Sequence, residues 1–506
     1  MIRSLTALRG CGLLTAHGLW RFAQALAWEG PNASALLGFR ARLTPRRPGL
    51  CDGVESLTWR ELHRRVQCLA GVLAQTHGIG SGDRVALVAR RGIPFVEAFY
   101  ALCRLGAHVT VLDPDAGALR RSRVLVRDRF RAVLRESEFR PEGRDSFGGM
   151  DVSLEAAREA AASRAPAFLG PRGGGRISVL TGGTTGEPRV AQRSSSPVAV
   201  ARPFLGLLSR VDLHACRELA VCSPVHHGFG LSALLIGTFL GPRIHVWDRW
   251  CTEFASDRIR CCAVDTVAAV PQMLSRILDA DGFSLRGVRR FLCGGARLDP
   301  ALARRGLEAM DGALHNLYGS SEAGFSILAL PEDLEECPDT LGRALPGVSV
   351  RILDPEGGQV PFPGVGEIAV ESSWAMESTA GRTCRTGDLG RMDPQGRFFL
   401  VGRVDDMLVS GGENVYPSDV EDAVLAHPDV REAVAWPVED PDFGERLAMA
   451  VVVVGRELTE DAIREWLRPR LARYQMPARI LVLGSLPWTA AGKPDRKALE
   501  GRLKEP

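Results

Sequence analysis

The chain has 506 residues, 45% hydrophobic and 24% charged, the make-up of a folded protein of two or more domains, which excludes disorder over the whole length. Its 63 basic and 60 acidic side chains leave a net charge of +3, too even a balance to point to nucleic acid. None of the twelve cysteines forms a CxxC pair, so neither zinc nor a disulfide framework is indicated, and reduced, buried thiols in a cytoplasmic protein are expected.

From the N-terminus, Met1 to Gly30 is apolar with scattered Arg3, Arg9 and Arg21. It shows no cleavage site and falls short of the roughly 20 apolar residues a membrane span needs. Two readings stand: a helix packed on the body, or an amphipathic helix in peripheral contact with a membrane. Arg84 to Ala89 then reads as a buried strand, Phe95 to Leu105 as a helix opened by Pro94 and closed by Gly106, and His108 to Leu112 as the next strand. That is a βαβ unit and implies a parallel sheet. Residues 141–176 read as loops around one helix. The alternation returns with strands at 264–270, 290–293 and 314–318, and helices at 272–279 and 300–310. The last stretch changes character, with strands at 448–454 and 479–483 and a helix from Glu460 to Ala472, the size of a small α+β domain. The fold expected is α/β: a large N-terminal domain of mostly parallel sheets flanked by helices (1–403) and a small mobile α+β domain (404–506).

Five segments carry candidate chemistry. Thr181-Gly-Gly-Thr-Thr-Gly-Glu-Pro-Arg189 follows a short strand, and its backbone N–H groups with the Thr184 and Thr185 hydroxyls suit phosphate oxygens. It lacks the GKS or GKT of a Walker loop. Tyr318-Gly-Ser-Ser-Glu-Ala-Gly324 follows another strand, where ligands collect in open α/β sheets. Its tyrosine can stack on a purine and Glu322 can hold Mg²⁺. Asp388, in Arg385-Thr-Gly-Asp-Leu-Gly390, suits ribose hydroxyls in a glycine-flanked turn, or forms a plain Asx turn. Gly402 to Pro417, followed by Ser418 to Asp422, and the loop Pro487 to Arg496, which holds Lys493 between Gly492 and Pro494, complete the set.

In this order and at these separations, from about Arg40 to Leu499, the segments resemble the adenylate-forming superfamily of acyl-CoA synthetases, peptide-synthetase adenylation domains and luciferases. The resemblance implies a phosphate loop at Thr181, Gly183, Thr184, Thr185, Gly186 and Arg189, and an adenine pocket at Gly294, Gly295, Ala296 and Tyr318. Gly319, Ser320 and Ser321 complete the nucleotide segment, with Ser321 where a threonine is usual. It further implies a magnesium-associated acid at Glu322, a ribose pair at Asp388 and Arg403, and a hinge at Asp405. Ser410, Gly411 and Gly412 would line a thiol tunnel, and Lys493 would be essential for adenylation. Thr184 and His227 join Lys493 and Glu322 as candidate catalytic groups. ATP, Mg²⁺ and CoA are the implied cofactors. One departure is Arg189, where the family has lysine: the charge stays but its geometry changes.

Ser223-Pro-Val-His-His-Gly-Phe-Gly230 bears on the substrate. No acid lies between Cys222 and Gly241 to pair with an ammonium, which disfavours amino acids. His227 aligns with the histidine of fatty acyl and aryl acid ligases, or is a satisfied core histidine. The apolar run Leu231 to Leu240 fits a medium- or long-chain fatty acid, as in the bacterial fatty acyl-CoA synthetases it resembles. The function expected is therefore an ATP-dependent acid–CoA ligase. The alternatives are an acyl-AMP ligase that loads an acyl carrier protein and a non-catalytic nucleotide or acyl sensor.

Overall fold

The computed structural model describes residues 6–503 apart from 7, 116–117, 140–146, 168, 182–188, 194–196, 249, 321, 374, 376–382, 406, 411–412, 441–443, 455–457 and 490–492. Its strands form sheets of six, thirteen and five.

In the six-stranded sheet Met150–Ser153, Ala132–Arg135, Arg84–Val88, His108–Val111 and Ile177–Thr181 run parallel, and Arg189–Arg193 closes the edge antiparallel. Val85, Ala86 and Leu87 are wholly buried, as expected of a strand with both faces covered. The helix Ile93–Arg104, opened by Pro94, is buried along nearly its whole length and packs on Trp59–His77. The latter starts with a capping box in which Thr58 and Glu61 satisfy each other's backbone N–H.

The thirteen-stranded sheet changes character halfway. Pro48–Cys51, Arg243–His245, Glu218–Val221, Thr266–Ala269, Arg290–Gly294 and Leu314–Ser320 run parallel. The chain then reverses at Gly324–Ala329 and continues antiparallel through Thr340–Ala344, Phe398–Arg403, Cys384–Met392 and Gly366–Glu371. Gly294 and Ser320 end two neighbouring parallel strands, and ligands bind outside the carboxyl ends of such strands in open α/β sheets.

The five-stranded sheet starts at Leu408–Ser410 and is built on the long pair Val430–Asp440 and Gly444–Val453. Its helix Glu460–Leu467 stops earlier than the pattern to Ala472 suggests, because Pro469 has no N–H to continue the ladder. Residues 141–176 add a short strand, Met150–Ser153, to the expected helix, here Leu154–Ala162. Near the N-terminus the helix Ala16–Glu29 packs on Ser34–Leu43, with Phe22 edge-on to Phe39 at 5.4 Å, while Leu19 and Trp20 are 52% and 62% exposed. Among the described residues no helix is long and apolar enough to cross a membrane.

Candidate active site

Asp388 is not in a turn. It lies inside the strand Cys384–Met392, directly across from Arg403 on Phe398–Arg403. The sequence misleads here because Gly387 takes a left-handed φ of 75° within the strand, and a Cβ there would sit 2.9 Å from Arg403 Nη2. Arg403 Nη1 donates to Asp388 Oδ1 at 2.6 Å, and the Tyr318 hydroxyl donates to Asp388 Oδ2 at 2.7 Å. Thr386 fixes the backbone by accepting from the Asp388 N–H at 3.2 Å and donating to the Ile368 carbonyl at 2.8 Å. Burial raises the Asp388 carboxyl above its usual range, although Tyr318, Arg403 and Lys493 all favour the carboxylate. Burial and Asp388 hold the Tyr318 phenol well above 10. Tyr318 therefore acts as a neutral donor, oriented by the residue expected to meet the ribose.

The adenine-pocket glycines lie alongside. Gly294 ends the strand Arg290–Gly294, and a Cβ on it would come within 2.6 Å of the Leu317 carbonyl. Gly295 has φ 85°. The Phe229 ring borders both positions and meets Phe325 edge-on at 6.0 Å. Phe229 also lines a small apolar cleft to which strand residues and the helix Gly228–Leu240 contribute. Leu207, Leu213, Ala233, Ile236 and Leu317 are part of its lining, and among the described residues Thr266 is its sole hydroxyl-bearing residue. That hydroxyl donates to Asp265 at 2.7 Å.

His227 is the N-cap of this helix, yet its side chain makes no capping bond, and Nε2 is buried without a partner. The His226 and His227 rings meet at 4.5 Å, and His226 Nε2 lies 3.5 Å from Asp113. Burial, then His226, push His227 down to about 3, and Lys493 pushes the same way. Burial and Arg91 bring His226 to about 3 as well. Both rings are neutral at physiological pH. The sequence reading singled out His227 alone; the adjacent His226 and the Phe229 that follows were the signal for the rest of this wall.

Lys493, exposed, bears electrostatically on both His227 and Asp388, which puts it in the neighbourhood of both. Its loop is closed by Thr489, whose N–H and hydroxyl donate to the Lys493 carbonyl at 2.7 and 3.0 Å. The small domain rests on the body through Arg297, which donates to Asp422 at 2.6 Å and lies 4.0 Å from Glu421, and through Arg431 on Asp279. Asp405 pairs with Arg403 at 3.6 Å. Ser410 is fully buried, and its hydroxyl has no hydrogen-bond partner among the described residues.

Glu322, half-buried, follows the strand Leu314–Ser320. Among the described residues no group of three or more ligating side chains could enclose a metal. A single carboxylate fits Mg²⁺, which takes one or two protein acids and the rest of its shell from phosphates and water. Gly183, Thr184, Thr185, Gly186, Ser321, Gly411 and Gly412 lie outside the described residues; Thr181 and Arg189 are described as backbone only, as register partners.

An aromatic and a carboxylate–arginine pair gathered by the ends of the parallel strands suit the binding of a nucleotide. The chain belongs to the AMP-binding enzyme family: the model of that family matches residues 39–378, and the model of its C-terminal domain matches 419–493. It is similar to the fatty acid–[acyl-carrier-protein] ligase ScoC of Streptomyces coeruleorubidus, 27% identical over 92% of this chain and 95% of the other. A feruloyl-CoA synthase of Amycolatopsis is 29% identical over 90% and 95%. In fold it matches the o-succinylbenzoate CoA synthetase of Bacillus subtilis in complex with an acyl-adenylate, with a TM-score of 0.81 at 24% identity over 93% and 98%. The chain is thus an adenylate-forming acid–thiol ligase, and the CoA ligases of this family use ATP, Mg²⁺ and CoA.

Proposed function

We propose that this ligase activates an aliphatic acid of medium or long chain as its acyl-adenylate and passes the acyl group to CoA. The observation that supports the reading is the cleft beside Phe229, whose lining among the described residues has no charged side chain and, as polar groups, only the Cys216 thiol and the Thr266 hydroxyl that Asp265 already holds. A succinylbenzoyl group would leave a second carboxylate there unpaired, and a feruloyl phenol would find no partner; each is costly in an apolar site. An alkyl chain meets neither cost.

In the first step a substrate carboxylate oxygen attacks the α-phosphorus of ATP, the bond to the β-phosphate oxygen breaks, and pyrophosphate leaves. Two anions must approach, so positive charge at the α-phosphate lowers the barrier. Lys493 supplies that charge and orients both reactants. Mg²⁺, on Glu322 and the nucleotide phosphates, would neutralise charge on the triphosphate. Asp388, with Arg403 and Tyr318, holds the ribose hydroxyls, Gly294, Gly295 and Ala296 flank the adenine, and the segment Thr181 to Arg189 holds phosphates. His227, neutral, borders the carboxylate without adding a second charge. In the second step the thiol attacks the acyl carbon, AMP leaves, and the thiol proton passes to solvent.

We take 1–403 as the adenylation domain and 404–506 as a mobile domain hinged at Asp405; the separate sheet that starts at Leu408 supports this. Withdrawing the Lys493 loop would clear a path for the thiol, with Ser410, Gly411 and Gly412 brought to line it. A carrier-protein thiol is the second reading, favoured by the similarity to a fatty acid–[acyl-carrier-protein] ligase.

The test is pyrophosphate release over a panel of alkanoic, aryl and amino acids, with CoA or a carrier protein. Release with alkanoic acids, followed by acyl-CoA, is expected. Acyl transfer to carrier alone would replace the acceptor, and release confined to aryl acids or none at all would overturn the reading.

A further inference from the structure

Away from the nucleotide site, the strands Pro48–Cys51 and Arg243–His245 run side by side in parallel, with Cys51 directly opposite His245. Register partners point to the same face of a sheet, so thiol and imidazole stand together. The third strand, Glu218–Val221, brings Glu218, whose Oε2 lies 2.8 Å from His245 Nε2. The ring is 1% exposed and held by that contact. Its other nitrogen, Nδ1, is buried with no hydrogen-bond partner. The thiol itself is only half-buried and open to small molecules.

We propose that Cys51, His245 and Glu218 form a reactive-thiol site that takes small soft electrophiles, hydroperoxides in particular. The arrangement follows the logic of an activated nucleophile: a base beside it, and an acid that orients the base. The Cys51 thiol is lowered, mainly by His245, against burial and the nearby Asp52, with help from the Gly53 N–H. His245 is raised: burial would depress it, but Cys51 and Glu218 prevail. Other charged and titratable groups at hand are Arg243, whose Nη1 lies 3.9 Å from Glu218, and Cys262 and Arg258, from the helix Thr252–Cys261 and its C-cap; Arg258 Nη2 also reaches the Gly53 carbonyl at 3.4 Å. By contrast Cys222 and Cys216 are pushed up to about 12 by burial and are inert by the same physics.

The step balances without any other redox partner. The Cys51 thiolate attacks one peroxide oxygen and the O–O bond breaks. The leaving oxygen takes the proton from the His245 imidazolium, which gives water or an alcohol. Sulfur ends as a sulfenic acid, oxidised by two electrons while the peroxide is reduced.

The experiment maps all twelve cysteines in the intact native protein. One arm uses limiting iodoacetamide, the other dilute hydrogen peroxide with a sulfenic-acid trap. Cys251 and Cys261, both exposed and each donating to a carboxylate, are internal comparisons, and a free thiol such as glutathione is the reference for an ordinary one. Cys51 is expected to alkylate at least about 10-fold faster than either at pH 6.5, where an unperturbed thiol is about one per cent ionised, and to carry the first trapped sulfenate. The variants His245→Asn and Glu218→Gln should bring its rate down towards the reference thiols while leaving pyrophosphate release in place. If His245→Asn fails to fold, Glu218→Gln with unchanged circular dichroism serves. A Cys51 rate no higher than that of Cys251, or one indifferent to both substitutions, would overturn the proposal.

Discussion

The corner formed by Tyr318, Asp388 and Arg403 and the loop that carries Lys493 come near each other, but they are built in opposite ways. The corner belongs to a single sheet. Its three side chains are joined by bonds of 2.6 and 2.7 Å, and Thr386 ties its backbone to the next strand. Lys493 hangs on a turn closed by its own neighbour Thr489, in the part of the chain whose contacts with the body include Arg297 on Asp422 and Arg431 on Asp279. On the mechanism we propose, the difference teaches a division of labour. Groups that would hold the nucleotide through both half-reactions are locked into the sheet, whereas the charge needed for one half-reaction would sit where a few contacts can release it.

The sharpest way to break this comparison is Lys493→Ala. We expect a loss of about 10³-fold or more in adenylation, the scale of removing a preorganised transition-state charge, with thioester formation from supplied acyl-AMP largely kept. Equal loss in both half-reactions, read by pyrophosphate release and by acyl-CoA formation, would end the division of labour. Asp388→Asn should act on the other side. It weakens the ribose contact and the Arg403 pair together, lowering kcat/KM for ATP by about 10- to 100-fold, the range of charged hydrogen bonds, and slowing both half-reactions. Next in size is Ala233→Phe in the apolar cleft. Acids that fill the cleft should lose about 10-fold or more, and short acids much less; a uniform loss across chain lengths would remove the cleft from substrate binding.

Arg297→Ala probes the seating alone. Its partner Asp422 is 42% exposed, so the expected effect is small, a drop in adenylation of up to about fivefold with the thioester step untouched. A last effect is on stability, and it is read on a different scale. His226 and His227 have folded values near 3, well below the free value of 6.5. The unfolded chain therefore binds more protons between those limits, and stability falls as pH drops from about 6.5 towards 3. Replacing His226 by Gln should flatten that decline in chemical-denaturation midpoints; an unchanged slope would show that the ring titrates normally.

Much of this was legible along the chain, because local signals are strong where a motif is continuous. The βαβ unit from Arg84 to Leu112 and the strands before Gly294 and Tyr318 came from apolar runs closed by glycine or proline, and the structure has all of them. What escaped depends on partners distant in sequence. Asp388 reads as a turn residue until Arg403 is set across from it, and no periodicity announces that register. Arg297 gains meaning only through Asp422, 125 residues away. The cleft is assembled from residues between Leu207 and Phe325, so the Leu231 to Leu240 run supplied one wall and left the others unread. The end of the helix at Leu467 was a local miss, since Pro469 was in plain view.

The cleft proposed to receive the acyl chain has no wall of its own. Leu219, Ala233 and Ala268 belong to one buried core, and Leu207, Leu213, Leu292 and Leu317 belong to a second. Any lineage that widens or narrows this space must therefore redraw the interior that keeps the enzyme folded, at a cost on the order of 1 to 3 kcal/mol per ill-fitting side chain. New substrate preference and mutational robustness are drawn from the same handful of side chains. Divergence in this part of the molecule should consequently proceed by paired exchanges, one residue growing as its neighbour shrinks, rather than by single steps.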